Sequence, residues 1–358
     1  MKTASESITF RCGATMKNRF MLAPLTNSQS LENGILSDAE FNWLTMRAQG
    51  GFGLVMTCAS HVQENGKGFQ GQLGIFNDIH IEGHQRLAKE LKSHGALAVV
   101  QLHHAGMRAP KDLINQQPVC PSIDKETDSR QLTLEETKGV IDAFIKAAIR
   151  AKTSGYDGVE IHGAHGYLLC QFLSKEINKR QDIYGGSLEN RSRIIYEIIE
   201  GIRKACGRSF LIGVRLSPER FGMDLKEIKI LAQNLIDTNL IDFLDISLWD
   251  CFKMPEDLKY HDKTLLDHFI GLNFKDVKLT VAGKISSGHD VHKILKNKVD
   301  FVTIGRSAIL HHDFPHRVIE NPNFEPEPLP VSKSYLKKEG LSNSFIEYMN
   351  RWPNFVQN

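Results

Sequence analysis

Short apolar runs and amphipathic stretches alternate along almost the whole chain. Eight runs are rich in β-branched and other apolar residues, at positions 20–26, 53–59, 96–103, 158–163, 210–216, 243–248, 278–283 and 301–305. Each is nearly continuous in its apolar character, as expected of parallel strands buried on both faces. Segments of helical period lie between them. The clearest spans 134–152, where Val140, Phe144, Ala147 and Ala151 share one face and Thr133 followed by Glu136 forms a capping-box start. A second spans 190–205 and carries Ile194, Ile195, Ile198, Ile199 and Ile202. Gly95, Gly155 and Gly207 follow expected helices, where a C-terminal glycine belongs. Strands that alternate with helices imply a parallel sheet. Eight such units favour a closed (β/α)8 TIM barrel over an open doubly wound sheet. The expected arrangement is a single domain over 1–358, with a hairpin at 8–19 closing the N-terminal mouth. A tail from about 326 to 358 should pack on the barrel or on a partner subunit.

Barrel chemistry gathers at the C-terminal ends of strands. Polar or turn-forming residues appear there as the apolar runs end: Pro24, Leu25 and Thr26; Gln101, His103 and His104; His162, His165 and Tyr167; Arg215; Gly283 and Lys284; Gly305 and Arg306. A lone histidine is usually a hydrogen-bonded structural residue and a lone strand arginine usually has an acid partner. Their joint placement in register is what points to a site. The glycines after the last two strands suit a phosphate, because backbone N–H groups can approach it closely and Arg306 can add a charge-assisted fork.

Composition narrows the class. The 358 residues are 41% hydrophobic and 24% charged, with a formal net charge of +2. That is ordinary globular composition with no electrostatic footprint for nucleic acid or membrane. The six cysteines, at 12, 58, 120, 170, 206 and 251, are scattered and form no Cys-x-x-Cys pair. They suggest a reducing compartment and no metal site. No apolar run approaches the ~18 residues of a membrane span, and residues 1–10 lack the apolar core of a signal peptide. A cytoplasmic location is expected.

The residues then resemble a known family. Gly158-Val-Glu-Ile-His162-Gly-Ala-His165-Gly-Tyr167-Leu, continued by Gln171-Phe-Leu-Ser, is the strongest motif. Asp182-Ile-Tyr184-Gly185-Gly186-Ser-Leu-Glu-Asn190-Arg191-Ser-Arg193, Lys17-Asn-Arg19, Gln101-Leu-His-His-Ala-Gly106 and Ile304-Gly-Arg306 accompany it. Together they resemble the Old Yellow Enzyme family of FMN-dependent reductases over residues 17–310. The His-x-x-His spacing is similar to the branch that pairs two histidines. The resemblance implies noncovalent FMN in the barrel mouth, with NADPH or NADH as hydride donor. Ala23, Pro24, Leu25, Thr26, Ala59 and Gln101 would contact the isoalloxazine ring. Arg215 would lie beside N1 and O2, and Gly283, Gly305 and Arg306 would hold the phosphate. His162 and His165 would bind a substrate carbonyl, and Tyr167 would protonate the α-carbon.

Residue chemistry agrees with these roles. A fixed cation favours a reduced flavin that is anionic at N1. Two imidazole N–H groups at a carbonyl act as an oxyanion hole. A phenol is acid enough to protonate an enolate. The implied activity is reduction of the activated C=C bond of α,β-unsaturated carbonyl compounds. Alternatives are a specialised flavin reductase of dienoyl or nitro compounds, a catalytically idle flavin protein, and a flavin-free barrel for a phosphorylated ligand. The sequence also departs from the family pattern: Ser28 replaces a frequent aromatic, Thr26 a frequent cysteine, and Met107-Arg108 a basic pair. The tail ends in Asn350-Arg351-Trp352, and in some relatives an Arg-containing tail reaches a neighbouring subunit, so a homo-oligomer through the tail is a further expectation.

Overall fold

The structure is a computed structural model that describes residues 2–357. Eight parallel strands close into a barrel in chain order. They are β1 (Phe20–Leu22), β2 (Leu54–His61), β3 (Leu97–His103), β4 (Gly158–Gly163), β5 (Leu211–Leu216), β6 (Phe243–Ser247), β7 (Lys278–Ala282) and β8 (Phe301–Ile304). Every neighbouring pair is parallel, and β8 closes onto β1. All eight expected strands are present. The first is shorter than its apolar run because Pro24 has no N–H to give to a ladder. The second runs two residues further, through a register shift between Met56 and Ala59.

The helices form as their caps direct. The longest, Leu134–Thr153, begins with a complete Thr133–Glu136 capping box. The next, Leu188–Cys206, buries its isoleucine stripe against the outside of the barrel. Gly95, Gly155 and Gly207 all adopt positive φ at helix ends, the conformation that glycine reaches without a Cβ penalty.

The barrel interior changes character along its axis. At the N-terminal end Met21, Leu54, Met56, Val99, Leu211, Phe243 and Phe301 form an apolar cluster. A side chain at Gly213 would overlap the Phe243 ring, so glycine makes room for it. The expected hairpin forms from Ile8–Thr9 and Thr15–Met16. Its Phe10 closes this end, with ring centroids 5.7 Å from Phe301 and 6.0 Å from Phe243. Towards the C-terminal end the interior becomes polar, with Gln101, Glu160, Asp245, Thr280 and Thr303 all buried.

The tail lies on this chain's own barrel. Val331 pairs with Val356, and the helix Asn343–Met349 packs Phe345 edge-on against Trp43 at 5.2 Å. No helix among the described residues is long and apolar enough to cross a membrane.

Phe10 tests the hairpin's contribution. Phe10→Ala is expected to lower the unfolding free energy by about 3 kcal/mol, the scale for deleting a buried ring. Denaturant titration reads this as a lower midpoint; an unchanged midpoint would show that the hairpin adds nothing to the barrel.

Candidate active site

The strands' C-terminal ends surround a cavity of about 580 Å³. Every site residue expected from the sequence lines it. Ala23, Pro24, Leu25 and Thr26 follow β1; Ala59 and Gln101 lie in β2 and β3. His162 ends β4, with His165 and Tyr167 just beyond. Arg215 comes from β5, Gly283 follows β7, and Gly305 and Arg306 follow β8. The wall also holds Arg108 and Trp352, together with residues that the sequence reading did not single out, among them Phe69, Phe221, Ser247 and Trp249, with Tyr348 and Met349 from the tail. Ser247 obeys the rule that revealed the others, a polar residue where an apolar run ends. The tail residues carry no such local signal.

Two imidazoles converge on the cavity. His162 Nε2 and His165 Nδ1 are 3.3 Å apart. The backbone after β4 must turn sharply to achieve this, and His165 takes φ +62°, a conformation that costs a non-glycine residue of order 1 kcal/mol. The His165 N–H donates to Ser217 Oγ at 2.9 Å, and Arg108 donates to the His165 carbonyl. These bonds hold the turn.

Neighbouring groups decide where each ring carries its proton. Arg215 Nε donates to Ser247 Oγ at 2.9 Å, so the serine hydroxyl is free to donate onward. The hydroxyl lies 2.9 Å from His165 Nε2, and when it donates there the proton of His165 sits on Nδ1. On the other ring, the Ala164 N–H points at His162 Nδ1 at 3.4 Å, which leaves the proton on Nε2. In the ligand-free site one of the two nitrogens accepts from the other across this 3.3 Å contact; with a ligand oxygen between the rings, both can carry N–H groups that face it. Removal from water lowers both pKa values well below the ordinary imidazole range, and nearby Arg215 and Arg108 add to the effect. Both rings are neutral at neutral pH.

Tyr167 stands beside this pair. Its ring packs edge-on to His103 at 4.4 Å and to His162 at 5.3 Å, and the Arg108 guanidinium lies 4.7 Å from its centroid. Burial raises the phenol's pKa, with Arg108 opposing. The hydroxyl thus stays protonated at neutral pH and can donate.

Arg215 serves three directions at once. Its Nε also lies 3.1 Å from Asp245 Oδ2, while no described residue accepts from its two Nη groups. Those donors remain for a ligand. Gln101 Nε2 donates one N–H to Glu160 Oε2 at 2.6 Å, which leaves its second N–H and its carbonyl oxygen for a ligand.

The opposite end of the cavity suits an anion. Gly283 adopts φ +155°, and an added Cβ would come within 2.8 Å of the Asp250 nitrogen. At Gly305 a Cβ would instead enter open space, with its nearest atom Leu25 Cδ2 at 3.9 Å. Arg306 and Lys284 stand here with Ser286 and Ser307. Lys284 is paired to Asp250 at 3.0 Å, whereas Arg306 has no carboxylate partner among the described residues. A guanidinium facing a glycine-walled space fits a phosphate, and the apolar wall with the Arg215 donors fits a flat heteroaromatic ring.

A closed barrel with an anion subsite at one end of its mouth and an apolar, donor-rich site at the other can hold a flat, phosphorylated ligand. The profile of the NADH:flavin oxidoreductase / NADH oxidase family matches residues 6–325, and the chain belongs to that family, the Old Yellow Enzyme family. FMN is its cofactor and a nicotinamide its electron donor. The chain is 36% identical over 330 residues to the probable NADH-dependent flavin oxidoreductase YqiG of Bacillus subtilis, covering 89% of this chain and 88% of that protein. It is similar to the solved old yellow enzyme homologue of Zymomonas mobilis, at 25% identity and TM-score 0.80, covering 96% of this chain and 99% of that one. It also resembles a 2-naphthoyl-CoA reductase in complex with 2-naphthoyl-CoA, at 28% identity and TM-score 0.80. The match covers 88% of this chain but only 52% of that one, so the chain spans about half of that relative's length.

Nitrogen-detected NMR of the histidines checks the proton placement. With a phenolate ligand bound, His162 is expected as the Nε2–H form and His165 as the Nδ1–H form, both unchanged as pH falls through the ordinary imidazole pKa of ~6.5. Ser247→Ala should release the His165 tautomer while leaving His162 unaffected. Titration of either ring near its ordinary value would refute the burial argument.

Proposed function

We propose that this flavin oxidoreductase reduces the activated C=C bond of α,β-unsaturated carbonyl compounds, as a member of the branch that pairs two histidines. The observation that carries the reading is the pair of imidazole nitrogens, His162 Nε2 and His165 Nδ1, 3.3 Å apart at the cavity wall beside Tyr167. An oxygen held between them receives two hydrogen bonds from neutral, preorganised donors.

When bound, FMN supplies the two-electron carrier, accepting hydride from NADH or NADPH and passing it to the substrate. The remaining work belongs to side chains. His162 and His165 bind the carbonyl oxygen and stabilise the negative charge that grows on it as the β-carbon is reduced. Ser247, locked by Arg215, keeps the proton of His165 on the nitrogen that faces the substrate. Tyr167 delivers its phenolic proton to the α-carbon and regains one from solvent. Ala23, Pro24, Leu25, Thr26, Ala59 and Gln101 hold the ring, Arg215 lies at its pyrimidine edge, and Gly283, Gly305 and Arg306 hold the phosphate. Tyr348, Met349 and Trp352 narrow the mouth and exclude water from the reacting atoms.

Tyr167→Phe separates the half-reactions. Enone turnover should fall by roughly 10²–10⁴, the range for losing a general acid, while bleaching of bound FMN by NADH or NADPH proceeds as in the unaltered protein. Equal losses in both half-reactions would refute the proton-donor role. His162→Ala should weaken binding of a phenolate ligand, read by its charge-transfer absorbance, and unchanged affinity would remove the carbonyl site from these imidazoles. Arg306→Ala should raise the dissociation constant for FMN by about tenfold or more, on the scale of ~1.5–3 kcal/mol for a charged hydrogen bond. Fluorescence quenching of added FMN reads it, and an unchanged constant would place the phosphate elsewhere.

A further inference from the structure

Beneath the ring site lies a pair of acids that the mechanism above does not use. Glu160 on β4 and Asp245 on β6 both project into the barrel, and both are fully buried, at 0% exposure. They stand within hydrogen-bonding reach of each other. Glu160 Oε2 is occupied by Gln101 Nε2 at 2.6 Å, yet Glu160 Oε1 and both Asp245 oxygens find no hydrogen-bond donor among the described residues. Asp245 gains only the 3.1 Å ion pair with Arg215 Nε.

Counting charges exposes the problem. Two buried carboxylates face one cation, Arg215 from β5. The other groups packed against them are neutral: Gln101 from β3, and Thr280 from β7, whose hydroxyl is bonded to Thr303 of β8 at 2.8 Å. His162, the next inward residue along β4, is neutral for the reason given above. Like charges this close in a dry interior cannot both ionise. A single proton resolves both difficulties. It removes one charge, and it supplies the donor that the orphaned oxygens lack.

We infer that Glu160 and Asp245 hold one proton between them, and that this shared proton sets how much of Arg215's positive charge reaches the pyrimidine edge of the bound flavin. With the proton present, Arg215 and the acid pair sum to zero. If it leaves to solvent, the trio carries one net negative charge directly below the ring. Two-electron reduction by a hydride adds one negative charge to the cofactor, so loss of the shared proton opposes reduction. The pair are positioning residues for Arg215, and they touch neither substrate nor the reacting atoms. The inference rests on FMN occupying the cavity with its pyrimidine edge at Arg215.

The test measures the midpoint potential of bound FMN across the neutral and alkaline range, in the unaltered holoenzyme and in Glu160→Gln. The substituted trio stays at zero net charge at every pH. Near neutrality the two proteins should share a potential. At alkaline pH the unaltered enzyme should show an extra fall in potential that Glu160→Gln loses. Parallel curves throughout would overturn the inference. If the variant fails to fold, infrared spectroscopy with and without FMN, on Glu40→Gln to remove the other fully buried acid, reads the proton. A carboxylic-acid carbonyl stretch that shifts in D2O and vanishes at alkaline pH is expected; an absent band at neutral pH would show a fully ionised pair and overturn the inference. The two readings remain separable. A protein that binds FMN and bleaches with NADH but lacks the band leaves the cofactor site intact and removes the shared proton. A protein that shows the band but never binds FMN removes the cofactor site instead.

Discussion

An eight-stranded barrel is only wide enough to be filled by its own side chains, and everything else in this molecule follows from how that narrow interior is filled. Its lower part is apolar and plugged by Phe10 against Phe243 and Phe301. That end can supply stability and little chemistry. The strands all run the same way, so their C-terminal ends form a ring at the other end. There the filling changes to Gln101, Glu160, Asp245, Thr280 and Thr303. A flat ligand at the mouth then rests on a polar floor that can respond to its charge, rather than on an inert hydrocarbon plug.

Arg215 organises that floor and the wall above it. One guanidinium meets Asp245 below, orients Ser247 beside it and leaves its Nη donors towards the cavity. Through Ser247 it also reaches His165 Nε2. Ring-edge electrostatics and carbonyl binding are therefore two ends of one hydrogen-bonded chain. In a low-dielectric setting such chains are stronger than their separate links, and a missing member costs more than its own contact. The strained backbone at His165 belongs to the same design, since the turn that places the second imidazole is held by Ser217 and Arg108.

The fold was legible because the signals are local. Strand runs and helix caps depend on residues close in sequence, and all eight strands and the Thr133 capping box formed as read. The site was largely legible for a related reason: in a parallel barrel, the end of each apolar run is by geometry the rim of the mouth. Residues such as His162, Arg215 and Gly305 could thus be grouped before any distance was known. Ser247 was overlooked although it satisfies the same rule, because a serine ending a strand is unremarkable until its partners are known.

What the sequence by itself determined, then, is the barrel, its polar end and the family, since these rest on periodicity, capping and contiguous motifs. Tertiary structure alone decided the rest. The packing of Phe345 on Trp43 carries Tyr348 and Trp352 to this chain's own cavity, a long-range contact that nothing local in the tail announces. The contact of His165 with Ser247, the bond from Gln101 to Glu160, and the meeting of Glu160 with Asp245 all depend on strands whose sequence separation says nothing about distance. Proton positions and charge balance are set by what lies within a few ångströms, and barrel closure, not chain order, brings those groups together.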